Sequence, residues 1–377
     1  MKKFWFLPII AVIAIWSCSS DNGGEDMGMD DDVALTFDRG AMLANWADNI
    51  ILPSYQSYEA DLAALKDAFD TFSTVKDAQN LVDLRQAWLD AYIGWQKVSM
   101  FEIGPAESAG LRLNMNIYPA DVTLLESNVD SGNYDLSLPS NRDAKGFPAI
   151  DYLLNGLEAD DTSLVNRFST GADADKLLVY LGDLIDDMIQ LTGPVVDSWE
   201  GDYRDTFVTN DGSSATASVD RFVNDFIFYY ERFLRAGKMG IPLGVFSGST
   251  APNTIEAFYK EDVSNQLFLT ALQAVQDFFN GKHFNSSTTG ESLASYLVDL
   301  NTLKDGAALN QLINNQFNEA KGRVTALDTF RSEIENNNPP TNMLSAYDEV
   351  QKAVPLLKVD MVSALSISID FVDADGD

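Results

Sequence analysis

The sequence predicts an all-α protein made of two packed helical bundles. Apolar residues recur at spacings of three and four along most of the chain, which is the period of an amphipathic helix. The two-residue alternation that is typical of strands is confined to Ser366–Ile369. With 46% hydrophobic residues, the 377-residue chain can bury a large core. Because domains of roughly 150 residues are common, this length predicts two of them.

Apolar stripes mark the predicted helices in chain order. They run from Tyr58 to Phe72, Leu81 to Trp95, Val223 to Phe233, Leu309 to Ile334 and Tyr347 to Leu365. A further helix is predicted to carry Phe258, Val263, Leu267 and Phe278.

Local signals add detail to these helices. Asn253 and Glu256 are three residues apart, which is the spacing of a capping pair at a helix start. Pro53 and Pro355 lie inside helical patterns, and we expect each to kink or interrupt its helix.

A polar region without an apolar stripe, Asn155–Asp175, separates the two groups of predicted helices. We therefore expect an N-terminal bundle over residues 36–155 and a C-terminal bundle over residues 176–377.

The first 18 residues have the pattern of a lipoprotein signal peptide. Lys2 and Lys3 precede an apolar stretch from Phe4 to Trp16, which is shorter than the roughly 20 residues of a membrane span. The stretch ends at Cys18, the only cysteine, which we expect to carry the lipid that anchors the protein in the membrane. Residues 19–35 then form an acidic tether that cannot build a core. The expected location is the cell envelope, at the outer membrane, with the periplasmic and surface-exposed faces both open.

Charge and composition disfavour several classes of function. The formal net charge of −32 repels phosphate backbones, so we expect no nucleic-acid partner. If Cys18 is lipidated, no thiol remains for a disulfide, a metal ligand or a nucleophile. The single histidine, His283, stands in a predicted loop and cannot be both metal ligand and general base. Enzymatic activity is therefore disfavoured.

The hexapeptide Gly146–Asp151 (GFPAID) resembles the Gly-x-His-x-x-Glu signature of the imelysin-like proteins, the family known as peptidase M75. Pro148 stands at the histidine position and Asp151 at the glutamate position. Four further segments, in order along the chain, are similar to stretches of the same family: 101–107 (FEIGPAE), 116–121 (NIYPAD), 235–244 (RAGKMGIPLG) and the tail from Leu357.

The resemblance implies a two-domain helical fold, an envelope lipoprotein, an association with iron-uptake components, and a functional site between the domains. Carried over position by position, it implies the following ligand-binding candidates: Glu107, Asn116, Asp121, Gly146, Pro148, Asp151, Arg235 and Lys238.

Three of these candidates are carboxylates that suit a hard cation. Glu107, Asp121 and Asp151 offer oxygen only, which favours calcium or ferric iron over zinc. The alternative is that they are helix caps or loop carboxylates. Arg235 and Lys238 have two interpretations as well, contact with the acidic loops of the first domain or stabilisation of a helix C-terminus.

Taken together, the residues and the resemblance favour a non-catalytic lipoprotein that binds a ligand or cation between its domains and is associated with iron uptake. The alternatives are a metal-dependent peptidase of the M75 type and a surface module that binds a peptide or glycan. Pro148 argues against the peptidase, because proline supplies neither a metal ligand nor a backbone donor.

The first testable prediction concerns the anchor. Metabolic labelling with palmitate should mark the wild-type protein and should be lost in Cys18→Ser, since no other thiol can accept the lipid. Equal labelling of the two proteins would place the anchor elsewhere in the chain.

Overall fold

Amphipathic helices build the structure, a computed structural model that describes residues 37–370. In chain order the helices are α1 Arg39–Asn45, α2 Leu52–Thr74, α3 Ala78–Val98, α4 Pro105–Ala109, α5 Leu111–Met115, α6 Val122–Ser131, α7 Gly146–Asp151, α8 Asp161–Thr170, α9 Ala174–Glu200, α10 Asp202–Thr209, α11 Ser218–Phe228, α12 Ser264–Phe279, α13 Leu293–Asp299, α14 Leu309–Thr325, α15 Phe330–Glu335, α16 Thr341–Pro355 and α17 Val362–Leu365.

The strand content of the described residues is small. Strands β1 Leu303–Lys304 and β2 Ala307–Ala308 pair antiparallel across a tight turn at Asp305 and Gly306, both of which have positive φ. The all-α prediction is confirmed. The predicted signal peptide, Cys18 and the tether lie outside the described residues, as does the end of the chain after residue 370.

Wider, π-helical turns interrupt the regular helices at four places: Trp46–Ile51, Tyr152–Gly156, Tyr229–Gly240 and Leu356–Met361. Pro53 is the second residue after the first of these turns, and Pro355 directly precedes the last. A proline ring collides with the carbonyl four residues before it in a regular helix, and a widened turn relieves such crowding. The turn Tyr229–Gly240 matters most for the site, because it carries Arg235 and Lys238.

The helix predicted to begin at Asn253 begins instead at Ser264. Residues 252–254 form one turn of 3-10 helix, after which Ala257 and Glu261 adopt positive φ of 54° and 65°. A left-handed residue ends helical propagation, so the segment between them is a loop. Glu256 does not cap a helix, because its side chain is used in a buried contact described below.

One continuous hydrophobic core joins the two predicted bundles. Helix α2 packs against α3 and also against α9, and α12 of the second half packs against α3 of the first. An aromatic cluster spans the halves: the ring of Phe278 lies 4.8 Å from Trp46, 4.7 Å from Phe222 and 5.6 Å from Phe101. Phe37 and all described residues after it belong to one compact unit, so no gap separates two cores at the predicted boundary.

Within residues 37–370, no helix combines the length and the apolar character that crossing a membrane requires.

Candidate functional site

The motif segment forms a short, fully buried helix, α7. Gly146 opens it with a φ of +71°, and a Cβ at this position would lie 2.2 Å from the carbonyl oxygen of Met115. Glycine is therefore required at this position for both its conformation and its size. The ring of Phe147 stacks on Tyr92 at 4.3 Å, and the indole Nε1 of Trp88 donates to the carbonyl of Phe147 at 3.3 Å. The surrounding helices thus hold α7 rigidly.

Asp151, the last residue of α7, accepts three hydrogen bonds. The backbone N–H groups of Tyr259 and Lys260 donate to it at 2.9 Å and 3.0 Å, and Asn155 Nδ2 donates at 3.0 Å. The side chain is 1% exposed. Burial raises the pKa of Asp151 to about 7, against the opposing effect of the three donors. Asp151 therefore fastens α7 to the loop that follows Glu256.

Pro148 and Asp151 line a small cavity of about 150 Å³. Tyr118, Pro119 and Phe258 complete much of its wall. Pro148 contributes only ring carbons, so the cavity offers no nitrogen donor at the position that the motif pattern reserves for histidine.

Beside this cavity lies a cluster of five polar side chains, all buried except the half-buried Asn116, which we call the polar seam: Tyr92, Gln96, Asn116, Lys238 and Glu256. Lys238 Nζ lies 2.5 Å from Glu256 Oε2 and donates to Gln96 Oε1 at 2.8 Å. Glu256 Oε1 accepts from Asn116 Nδ2 at 2.7 Å and from Gln96 Nε2 at 3.1 Å. Tyr92 OH donates to Asn116 Oδ1 at 2.5 Å. The seam thus joins α3 and the residue after α5 to the second half of the chain.

The charges of the polar seam are almost completely shielded from water. Lys238 is 4% exposed and Glu256 is 2% exposed. Burial lowers the pKa of the Lys238 ammonium, while the adjacent Glu256 carboxylate opposes that shift. Among residues 37–370, no buried side-chain nitrogen or oxygen of the seam lacks a hydrogen-bond partner. The seam is therefore satisfied without an added ligand.

A second ion pair, between Arg112 and Asp225, also joins the two halves of the chain. Arg112 is 3% exposed and forms a bidentate pair with Asp225, at 2.8 Å and 2.6 Å. Its remaining donors reach the carbonyls of Ser99 and Met100, and its guanidinium lies 5.3 Å from the ring centre of Tyr229. Arg112 connects α5 of the first half to α11 of the second.

The predicted carboxylate trio does not come together. Glu107 is exposed and pairs with Arg221 at 2.7 Å, and Asp121 is exposed and caps α6 by accepting from the N–H of Leu124 at 3.0 Å. In the part of the chain that the structure describes, no three His, Cys, Asp or Glu side chains are placed to hold a metal ion. Asp151 is buried in the core whereas Glu107 and Asp121 are exposed, so the three carboxylates do not form one site.

The residues at the motif do not fit a metal. Pro148 has no donor atom, and the carboxylate of Asp151 is already the acceptor of three N–H groups. Asn116 and Lys238 do come together, but through Glu256, which pairs with both.

Arg235 lies apart from these residues, although Lys238 is only one helical turn away in sequence. Arg235 is 1% exposed and donates to Tyr347 OH at 3.2 Å and to Gln351. Its guanidinium also lies 3.7 Å from Glu231. These contacts of Arg235 lie in the second half of the chain, on α16 and within its own π-helical turn.

Sequence reasoning missed Glu256, Gln96 and Arg112 as members of this region. The signal for Glu256 was its isolation as an acid between apolar residues, in Thr254-Ile255-Glu256-Ala257-Phe258. Gln96 and Arg112 carry no signal of this kind, because each lies in a segment whose pattern is otherwise ordinary.

Comparisons with known proteins agree with this architecture. A family model described as imelysin, peptidase M75, matches residues 51–355. A stretch of 113 residues is 32% identical to iron-regulated protein A of Synechococcus elongatus, and it spans 30% of this chain and 30% of that relative.

Two solved structures share the fold. One is described as an iron-regulated protein A precursor from Parabacteroides distasonis, with a TM-score of 0.68 at 17% identity over 86% of this chain and 95% of that one. The other is an imelysin-like protein from Psychrobacter arcticum, with a TM-score of 0.61 at 14% identity over 88% of this chain and 97% of that one.

The polar seam generates a stability prediction. Lys238→Met should lower the free energy of unfolding by about 3–5 kcal/mol, because it leaves the Glu256 carboxylate buried without its counter-charge. Lys238→Met combined with Glu256→Gln should recover part of this loss, because the remaining group is neutral. Urea unfolding measures both.

A matched control is Lys66→Met, which breaks the exposed pair with Asp70 within α2 and should cost about 0.5 kcal/mol or less. A similar small loss in Lys238→Met would show that the buried pair with Glu256 does not stabilise the fold.

Asp151 generates a prediction about pH. Its folded pKa of about 7 is above the ordinary value of 3.8, so the folded protein keeps a proton that the unfolded chain releases. This group therefore favours the folded state fully below pH 3.8, and that contribution is lost as the pH rises to about 7. Between pH 5 and 6.5, Asp151→Asn should remove up to ~1.4 kcal/mol per pH unit from the downward slope of unfolding free energy.

The control is Asp160→Asn. Bonds from Ser163 lower the pKa of the exposed Asp160, so its contribution to stability is lost only as the pH falls below 3.8. Parallel pH profiles for the wild type and Asp151→Asn between pH 5 and 6.5 would contradict the assignment of the proton to Asp151.

Proposed function

This chain belongs to the imelysin family, peptidase M75, and we propose from that premise that it is a non-catalytic binding protein of the cell envelope that serves iron uptake. Support comes from the altered motif, from the N-terminal sequence and from the names of relatives.

The observation that carries the non-catalytic part is the bonding of Asp151. A catalytic metal needs several convergent ligands and an open position for water. Here the carboxylate of Asp151 accepts from Tyr259 N, Lys260 N and Asn155 Nδ2, and the neighbouring Pro148 has no donor. Pro148 and Asp151 stand where the family pattern has a histidine and a glutamate, and here Asp151 holds α7 to the loop after Glu256.

The envelope location is supported by the sequence of the leader. Lys2, Lys3, the short apolar stretch and Cys18 together have the pattern of a lipoprotein signal, and the acidic segment 19–35 suits a tether between lipid and folded body. Under this proposal the protein is held at the outer membrane by its lipid.

The connection to iron rests on the relatives. Iron-regulated protein A of Synechococcus elongatus shares 32% identity over 113 residues, and a structure described as an iron-regulated protein A precursor shares the fold. We extend that association to this chain, with iron-uptake components as its partners.

Two alternative functions make different demands. A metal-dependent peptidase needs metal ligands that the residues around Asp151 do not supply. A module that binds a peptide or glycan needs an open groove between the halves of the chain, and it needs no metal.

The test is a comparison of metal binding and peptide cleavage. We expect calorimetric titrations of zinc, calcium and ferric iron to give the same result in the wild type and in Asp151→Asn, with no metal-dependent cleavage of casein by either. Pro148→His combined with Asp151→Glu restores the family pattern and should gain zinc affinity of about tenfold or more, because it adds an imidazole and a longer carboxylate. Tight zinc binding with cleavage in the wild type would overturn the non-catalytic assignment.

The iron part is tested separately in the native bacterium. Deletion of the gene should slow growth when iron is chelated and leave growth unchanged when iron is in excess. Complementation with Asp151→Asn should restore growth, whereas equal growth of the deleted and intact strains under chelation would reject the iron association.

A further inference from the structure

A large cavity lies away from the motif, where the two halves of the chain meet. Its volume is about 860 Å³, which is within the ~300–1,000 Å³ typical of small-molecule sites. One face of α12 forms a wall of it through residues such as Leu269, Gln273 and Asp277. The end of α3, the end of α14 and the loop 282–287 form the rest.

Part of the cavity wall is apolar and reaches the core. Met100, Phe101 and Phe278 are buried core residues whose edges line the cavity. Leu269 and Phe284 are only partly buried and face the same space. An apolar body placed here would lose contact with water on several sides, which favours binding by the hydrophobic effect.

The charges of the wall leave two cations without an ionic partner. Lys282 pairs with Asp277 at 3.2 Å, and the other acid of the wall, Asp262, pairs with Lys260 at 2.7 Å. Both acids of the wall are therefore compensated. The two remaining lysines are Lys97 and Lys321.

Neither of these lysines makes an ion pair within the described residues. Lys97 is half-buried at the end of α3, and its ammonium lies 5.6 Å from the ring centre of Phe284. Asp61 on α2 interacts electrostatically with Lys97, but the two side chains do not form an ion pair. Lys321 on α14 is half-buried and donates to Gln273 Oε1 at 2.6 Å. The negative charge of Asp277 attracts its ammonium group, and the positive charge of Lys282 repels it.

Lys97 and Lys321 differ from most Lys and Arg side chains of residues 37–370, which lie within ion-pair distance of Asp or Glu. The cavity wall carries three lysines against two acids, in a chain with 57 acidic residues against 25 Lys and Arg. An excess of cations at a cavity favours an anionic ligand.

From this combination we propose that the cavity binds a small amphipathic organic anion. Its apolar body packs against Leu269, Phe278 and Phe284, and its negative group lies between the ammonium groups of Lys97 and Lys321. The site is separate from the motif and does not depend on the function proposed above.

Two fluorescent probes that differ only by a charge test the proposal. 8-Anilinonaphthalene-1-sulfonate is an amphipathic anion, and N-phenyl-1-naphthylamine is its neutral counterpart. We expect the folded wild-type protein to bind the sulfonate at least about tenfold more tightly, after correction for the partition of each probe between water and octanol. Lys97→Met combined with Lys321→Met should remove that preference and leave the affinity for the neutral probe unchanged.

Two further variants locate the effect. Lys352→Met removes the exposed cation of the pair with Glu349, which does not line the cavity, and should leave both affinities unchanged. Ala274→Trp fills the cavity from α12 and should weaken both probes, provided that circular dichroism shows the variant to be folded.

Three results would overturn the proposal. They are equal corrected affinities for the two probes, sulfonate binding that is unaffected by the double lysine variant, and probe binding that persists in folded Ala274→Trp. None of these results bears on the motif or on the association with iron, so the two proposals fail separately.

Discussion

Lys238 and Glu256 face each other in a part of the protein from which water is excluded. A buried charge is tolerated only when a counter-charge and further hydrogen bonds replace its hydration. Here Gln96 and Asn116 supply those bonds, so α3, the residue after α5, the π-helical turn Tyr229–Gly240 and the following loop must meet at one place. A helical packing that separated any of these segments would leave an ammonium or a carboxylate unsatisfied. The polar seam therefore specifies how the two halves of the chain are matched.

The altered motif belongs to the same design. Asp151 fastens α7 to the loop that continues from Glu256, and the two contacts are only a few residues apart in that loop. In this chain the family's characteristic segment has its glycine and lies in the core, but the carboxyl oxygens of Asp151 accept hydrogen bonds from backbone N–H groups. The fold is retained while the donor set for a metal is missing, which is why family membership and peptidase chemistry have to be judged separately.

The distribution of charge separates two regions of the structure. Around the motif, each buried charge has a partner within the protein. In the cavity beside α12, Lys97 and Lys321 make no ion pair among the described residues, although the chain as a whole is strongly acidic. Polar groups that are fully bonded internally stabilise a fold, whereas charges that remain uncompensated at an open cavity are available to a ligand. On this criterion the cavity is the better candidate for small-molecule binding.

The sequence by itself determined the class of the fold and the family. Helical periodicity is a local property, so it was readable without the structure. The start of α12 was not, because Glu256 looked like a cap while its carboxylate is bound by Lys238, 18 residues earlier in the chain. The predicted carboxylate trio does not form for a related reason. Asp121 and Glu107 stand in segments that resemble the family, as Asp151 does, but their side chains are exposed to solvent. Only tertiary packing decides which distant polar groups share a buried volume, because the desolvation that forces them to pair arises only when the helices come together.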